Sequence, residues 1–102
     1  MDMSALMQQA QQLQGRMQQM QAELAGRQVT STVGGGMVSA TVNGRHQLLK
    51  ITIDREVVNP DDVTMLQDLV AAAVNDAMAK AQEMIQQEMS KLTGGIKIPG
   101  LF

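Results

Sequence analysis

"VTSTVGGGMVSATVNGRHQLLKITI", Val29 to Ile53, breaks the helical rhythm of the chain and decides its fold class. Before it, apolar side chains recur every three or four residues; within it, they alternate with polar ones. A period of two sends successive side chains to opposite faces of a strand, so each alternating run reads as a strand with one apolar face. Val29, Ser31 and Val33 share one face of the first run, and Val38, Ala40 and Val42 share one face of the second. In "LLKITI", Leu49, Ile51 and Ile53 fall on one side, with Leu48, Lys50 and Thr52 on the other. Strands are predicted over about 28–33, 37–43 and 45–53. Gly34-Gly35-Gly36 makes a loose first turn, and Asn43-Gly44 signals a tight hairpin whose two central positions need positive φ. The three runs form an antiparallel meander.

Outward from the sheet, both flanks are helical. On the N-terminal side Leu6, Ala10, Leu13, Met17, Met20 and Leu24 are separated by steps of 4, 3, 4, 3 and 4, the spacing of a helix seam. A helix is predicted over 3–26, weakened at Gly15 by about 1 kcal/mol relative to Ala and stopped at Ala25-Gly26. On the C-terminal side, "NPDDVTMLQDLVAAAVNDAMAKAQEMIQQEMSKLTGG" predicts a helix over 60–92. Asn59 would cap it, Pro60 would take the first helical position, and Asp61 and Asp62 would complement the positive end of its dipole. Its apolar face carries Leu66, Val70, Ala73, Ala77, Met84 and Leu92, and Gly94-Gly95 would end it. Pro99 leaves the tail "IKIPGLF", within 94–102, irregular.

The fold class is therefore α+β: a single α-β-β-β-α domain over 1–102, with a three-stranded antiparallel meander and two long helices. At 1.5 Å per residue a helix over 60–92 reaches about 50 Å. A compact body of this chain length is only roughly 33 Å across. The long helix must project or be shared, which implies a homodimer.

Composition points the same way. The chain has 102 residues, 44% of them hydrophobic, yet a single Phe and no Trp or Tyr. Its own core should be thin, and association is a common remedy. With no cysteine, disulfides and thiolate zinc sites are excluded. The polar start "MDMSALMQQ" does not resemble a signal peptide, and no run of about 20 apolar residues offers a membrane span. A cytoplasmic protein is expected. The formal charge of −2 gives no global attraction to nucleic acid or anionic membrane, so such binding would need local patches.

The residues of catalysis are scarce. One His and no Cys leave no nucleophile with its base and no second imidazole for a metal, so neither an enzyme nor a metal or cofactor site is expected. His46 reads as a half-exposed hairpin residue. Asp61 and Asp62 are explained by a helix start without calcium. Gly34 to Gly36 lead into a strand and lack the Lys-Ser/Thr ending of a phosphate-binding loop. Ten methionines at helical spacing read as core. Opposite the first seam, Gln9, Gln12, Arg16, Gln19 and Glu23 form a polar stripe; on the last helix Asp76, Lys80, Glu83, Gln87 and Lys91 form another. Amides and cations on such stripes can reach phosphate oxygens, or can simply keep a face in solution, with Lys80 paired to Asp76.

The segments "QQAQQLQGRMQQMQAEL", "VNGRHQLLKITID" and "LQDLVAAAVNDAMAKAQE", in that order and closing with "GG" and "PG", resemble the YbaB/EbfC family of bacterial nucleoid-associated proteins. The similarity covers nearly the whole chain. It implies a tweezer-like homodimer whose paired helices project, with double-stranded DNA as partner, in the cytoplasm and nucleoid. It implies neither a membrane nor a small-molecule substrate. Carried over by position, it points to Gln12, Arg16, Gln19, Lys80 and Lys91 as DNA backbone contacts. Leu6, Leu13, Met17, Met20 and Leu24 remain for a dimer or helix seam. Family members often carry more lysines in the first helix, where this chain has neutral Gln8, Gln18 and Gln21. The other function open to these residues is a protein-interaction module, using the Met-rich helices or the C-terminal tail.

Overall fold

A computed structural model describes residues 2–92 of the chain. Helix α1 (Met3–Gly26) leads into strands β1 (Gln28–Val33), β2 (Val38–Asn43) and β3 (Leu48–Ile53). A 3₁₀ turn (Arg55–Val57) then precedes helix α2 (Val63–Leu92). The sheet is an antiparallel meander in the order β1-β2-β3, so the architecture is the α-β-β-β-α expected from the change of period. The expected stop at Gly94-Gly95 and the irregular tail over 94–102 lie outside the described residues.

Alternation along β1 and β2 buries the side predicted. Ser31, Val38, Ala40 and Val42 are inaccessible to solvent or nearly so, and Val29 and Val33 pack beside them. Over this face lies α2, presenting Ala73, Ala77 and Ala81, all fully buried. Three alanines at intervals of four put one methyl-only stripe toward the sheet, which lets the helix backbone approach closely. Ser31 is the polar member of this layer. Its hydroxyl donates to Asp76 on α2, so burial of the oxygen leaves no unsatisfied group.

Four local details differ from the sequence expectation. The first lies in β3: Lys50 stands opposite Thr41 but Leu48 stands opposite Val42, so Leu49 is the extra residue of a β-bulge. Leu48, rather than Leu49, therefore joins Ile51 and Ile53 on the face shared with Val38, Ala40 and Val42. The second is the start of β3 at Leu48 rather than 45, because Gly44, Arg45 and His46 form the loop.

The third concerns how that loop closes. Positive φ occurs not at Asn43-Gly44 but at His46, with φ 58°. The His46 amide donates to the Asn43 carbonyl at 3.1 Å, and Asn43 Oδ1 accepts from the amides of Arg45 and Gln47 at 2.9 and 3.1 Å. This is the three-residue hairpin, a turn followed by one left-handed residue, and histidine is among the side chains that tolerate that conformation. The first turn needs its glycines in the ordinary sense: Gly34, Gly35 and Gly36 all have positive φ.

The fourth is the start of α2, at Val63 rather than 60. Asn59 Oδ1 accepts from the Asp61 amide at 3.0 Å and the Asn59 carbonyl accepts from the Asp62 amide at 3.0 Å, which makes 59–62 a turn. The cap is Asp62, whose Oδ1 accepts from Met65 at 3.2 Å. An Asx-Pro turn and a helix cap share residue preferences, so the sequence alone does not distinguish the two.

The molecule measures 70 × 23 × 16 Å, with a radius of gyration of 19.2 Å. A compact domain of this size would have about 13 Å. α1 accounts for much of the excess. Among the described residues, only its C-terminal part touches the rest of the chain, chiefly through Met20 and Leu24, which are buried against Met84 with Ile85, Met89 and Leu92 alongside. Leu6 and Leu13, upstream on the same seam, remain 40% and 48% exposed.

Candidate nucleic-acid interface

The joint between α1 and α2 sets the direction in which α1 leaves the body, and polar contacts fix it from two sides. On one side, the Leu24 carbonyl accepts from the Gly44 amide at 3.0 Å and from Arg27 at 3.1 Å. A free carbonyl at a helix C-terminus is thus tied to the hairpin loop. On the other, Arg27 pairs with Glu88 at 2.7 Å, and Lys91 reaches the same carboxylate oxygen at 3.2 Å. These donors hold the Glu88 carboxyl below its usual pKa, the hydrogen bond from Arg27 being the larger cause and that from Lys91 the next.

A group whose folded pKa is depressed contributes stability above its unfolded pKa, and that contribution is lost as pH falls through the folded value. The Glu88 contribution should therefore persist at neutral pH and disappear only below the ordinary glutamate range. Carboxyl-detected NMR titration would read a Glu88 midpoint below the ordinary glutamate value; a midpoint at or above that value would contradict the clamp.

Of the sequence-predicted contacts, Gln12, Arg16 and Gln19 all lie exposed on α1. Arg16 has no ion pair among the described residues. Lys80 and Lys91 are exposed as well, but each is engaged: Lys80 lies 3.7 Å from Asp76, and Lys91 shares Glu88 with Arg27. An acid beside each lysine reduces what it can offer a phosphate. The five residues therefore do not form one cluster of equal cations. Of the predicted seam, Met20 and Leu24 are buried, Met17 is half-buried, and Leu6 and Leu13 are exposed.

Three cations that periodicity did not single out, Arg45, Lys50 and Arg55, are also exposed and without an ion pair among the described residues. Arg45 sits at the hairpin tip beside α1. Lys50 stands on β3 opposite Thr41, which in turn pairs with Thr30. The Thr30 and Thr41 hydroxyls are 2.8 Å apart, and these side chains belong to the sheet face turned away from α2. The only sequence signal for either was the strand alternation that puts Lys50 outside; the nearness of Arg45 to α1 is a product of the fold.

Between α1, the hairpin tip and α2 runs a groove of about 420 Å³. Its floor is Met17, Met20, Leu24, Ile85 and Met89, and Gln21, Arg45, His46, Gln82 and Gln86 rim it. His46 Nε2 lies 2.9 Å from Gln82 Oε1, joining the hairpin tip to α2. Among the described residues no group of three or more His, Cys, Asp or Glu side chains is placed to hold a metal ion, and no helix is long and apolar enough to cross a membrane.

Comparison with known proteins gives this geometry a family. A nucleoid-associated protein of Syntrophobacter fumaroxidans is 55% identical over 95 residues, covering 93% of this chain and 86% of that one. A nucleoid-associated protein of Pelotomaculum thermopropionicum is 52% identical over 101 residues, covering 99% and 96%. Among solved structures, the crystal structure of an uncharacterized protein from Helicobacter pylori superposes with a TM-score of 0.83 at 26% identity, covering 92% of this chain and 99% of that one. The YbaB/EbfC DNA-binding family matches residues 1–96. On identity, coverage and fold together, the chain belongs to the YbaB/EbfC DNA-binding family.

Proposed function

We propose that this chain is a nucleoid-associated protein that binds the backbone of duplex DNA as a homodimer, with little sequence specificity, and that it acts in the cytoplasm on nucleoid organisation. The observation that carries this reading beyond family membership is the part of α1 upstream of Met20, the first of its residues buried against α2. Its exposed side chains include Arg16 among the amides of Gln12 and Gln19. A projecting helix with one unpaired cation and several amide donors suits phosphate contact and positioning; it offers no aromatic platform for unstacked bases.

The homodimer has its own support. α2 packs over β1 and β2, and β3 is left at the sheet edge with Leu48 and Ile53 exposed on the apolar face. With Val58 and Val63 nearby in the chain, these side chains are 38–57% exposed. A second subunit laid on this edge would cover them and double the projecting helices. Such a dimer would carry a formal charge of −4, twice −2, so attraction to DNA must be local and steeply salt-dependent.

Anisotropy of a labelled mixed-sequence duplex, titrated at several salt concentrations, tests this directly. Arg16→Glu should weaken binding and lower the slope of log affinity against log salt by about 0.9 for each phosphate no longer neutralised, or about 1.8 for a dimer. The Lys80→Glu and Lys91→Glu changes should each cost less, because Asp76 and Glu88 already neutralise those lysines in part. Unchanged affinity and slope on Arg16→Glu would move the interface off α1, with Arg45 and Lys50 the next residues to change.

A further inference from the structure

Upstream of the joint, α1 carries an apolar seam that no described residue covers. Met3, Leu6, Met7 and Leu13 are 72%, 40%, 60% and 48% exposed, and every residue from Asp2 to Arg16 is exposed. We propose that this seam pairs with the same seam on a second copy of the chain, the two helices running antiparallel about residue 8. The pairing needs no DNA. It does engage Arg16, so a paired α1 and a DNA-bound α1 compete for that residue.

Continuity is the first argument. The three-four spacing that buries Met20 and Leu24 against α2 runs on upstream through Leu13, Ala10, Leu6 and Met3. A two-fold pair centred on residue 8 sets Met3 opposite Leu13 of the other helix and Leu6 opposite Ala10, and symmetry repeats both layers. On one flank Met7 meets its own copy. All four exposed apolar side chains are thereby covered.

Charge complementarity is the second argument. On the other flank of the same register, Asp2 falls beside Arg16 of the second helix. Asp2 caps α1 by accepting from the Ser4 amide at 3.2 Å, and neither Asp2 nor Arg16 has an ion pair among the described residues. One heptad further on, Asp2 would instead face Glu23, and Met3 would need Met20, which is already buried against α2. Parallel helices would set Asp2 against the Met7 thioether and Arg16 against Gln21, pairing no opposite charges, and would crowd two bodies at one end. The antiparallel register places the two Leu24 residues about 48 Å apart along the axis, well beyond the 23 × 16 Å cross-section of the molecule.

The test uses the full chain without DNA, so its failure is separate from failure of the DNA reading. Because the chain has no cysteine, a single nitroxide can be attached at Gln11→Cys or at Gln18→Cys, which occupy the same outward position one heptad apart. Electron–electron distance measurements between copies should then find axial offsets of about 9 Å for the first and about 30 Å for the second, making the Gln18 distance the longer. Both distances should vanish when Leu6→Asp and Leu13→Asp are added; a distance that survives them belongs to another interface. These two side chains lie outside the core, and circular dichroism checks that the helix persists. Arg16→Asp, which sets two carboxylates together on each charged flank, should weaken the association at least about fivefold by sedimentation.

Equal distances at the two labels would mean parallel helices and overturn the proposal. So would distances unaffected by the two aspartates, or an association that Arg16→Asp leaves unchanged.

Discussion

Replacing Gly44 by valine is expected to lower stability by about 2–4 kcal/mol, the largest loss from any single substitution considered. A Cβ at this position would lie 2.3 Å from the Leu24 carbonyl oxygen, 2.8 Å from its carbon and 2.7 Å from Leu24 Cβ. Two of those atoms are backbone, so no rotamer change relieves the clash. Either the hairpin tip or the end of α1 has to move. Overpacking of this kind costs about 1–3 kcal/mol, and separation would also break the hydrogen bond from the Gly44 amide to Leu24, worth about 1 kcal/mol. A loss of that size in a chain this long lowers Tm by roughly 10 °C or more. Thermal unfolding followed by circular dichroism would show it, and hydrogen exchange should rise in α1 before it rises in the sheet. Gly15→Ala is the matched contrast: a Cβ there would meet none of the described residues within 4 Å, so the change should raise α1 helicity and add about 0.5–1 kcal/mol. A Gly44→Val protein as stable as the parent would mean that α1 is not held where the hydrogen bond to Leu24 puts it.

The second large effect is on assembly. Leu48→Asp combined with Ile53→Asp should convert the proposed dimer to monomer, with the light-scattering mass falling from twice 11.0 kDa to 11.0 kDa. Burying an apolar side chain of this size contributes roughly 1.5–3 kcal/mol, and a symmetric interface uses each residue twice. Even a quarter of the summed loss, about 1.5–3 kcal/mol, would raise the dimer dissociation constant roughly ten- to a hundredfold. The subunit fold should survive, since neither side chain lies beneath α2 and the core formed by Val38, Val42, Ala73 and Ala77 is untouched. DNA affinity should fall with the dimer, because one subunit presents only one projecting helix. A double variant that remains a dimer would place the interface elsewhere, with the exposed Leu6 and Leu13 on α1 the next surface to change.

Family membership and these two experiments bear on different levels of the same molecule. Gly44 controls the pose of α1 within a subunit, and in the proposed dimer β3 controls how many such helices act together. In the proposed interface Arg16 acts from a helix whose direction is set some distance away, at Leu24, Gly44 and the Arg27 to Glu88 pair. A variant at the joint can therefore change DNA binding without touching a residue that meets DNA. Salt slope separates the cases: a joint variant should lower affinity with the slope nearly kept, and Arg16→Glu should lower both.

Much of this is legible in the residues themselves. Periodicity alone locates two helices and three strands, because a side chain's face depends only on local geometry, 3.6 residues per turn or two per pleat. Helix length against chain length requires an elongated molecule, and the 70 Å long axis, to which the projecting α1 contributes much, agrees with it. The candidate site is legible only in part. Sequence can assign Gln12, Arg16 and Gln19 to one stripe of α1, but it cannot show that Lys91 shares Glu88 with Arg27, since those partners are brought together from distant parts of the chain.

What tertiary structure alone decided has a common physical cause: these features depend on atoms distant in sequence competing for the same space. Gly44 reads as a turn glycine, yet its missing Cβ is required by Leu24, twenty positions earlier. The bulge at Leu49 shifts the apolar face of β3 by one residue, because pairing with β2 outweighs strict alternation. Asp62 takes the cap that Asn59 could have taken, once the 59–62 turn satisfies Asn59 elsewhere. Local sequence determines which face a side chain can show; packing determines what meets it.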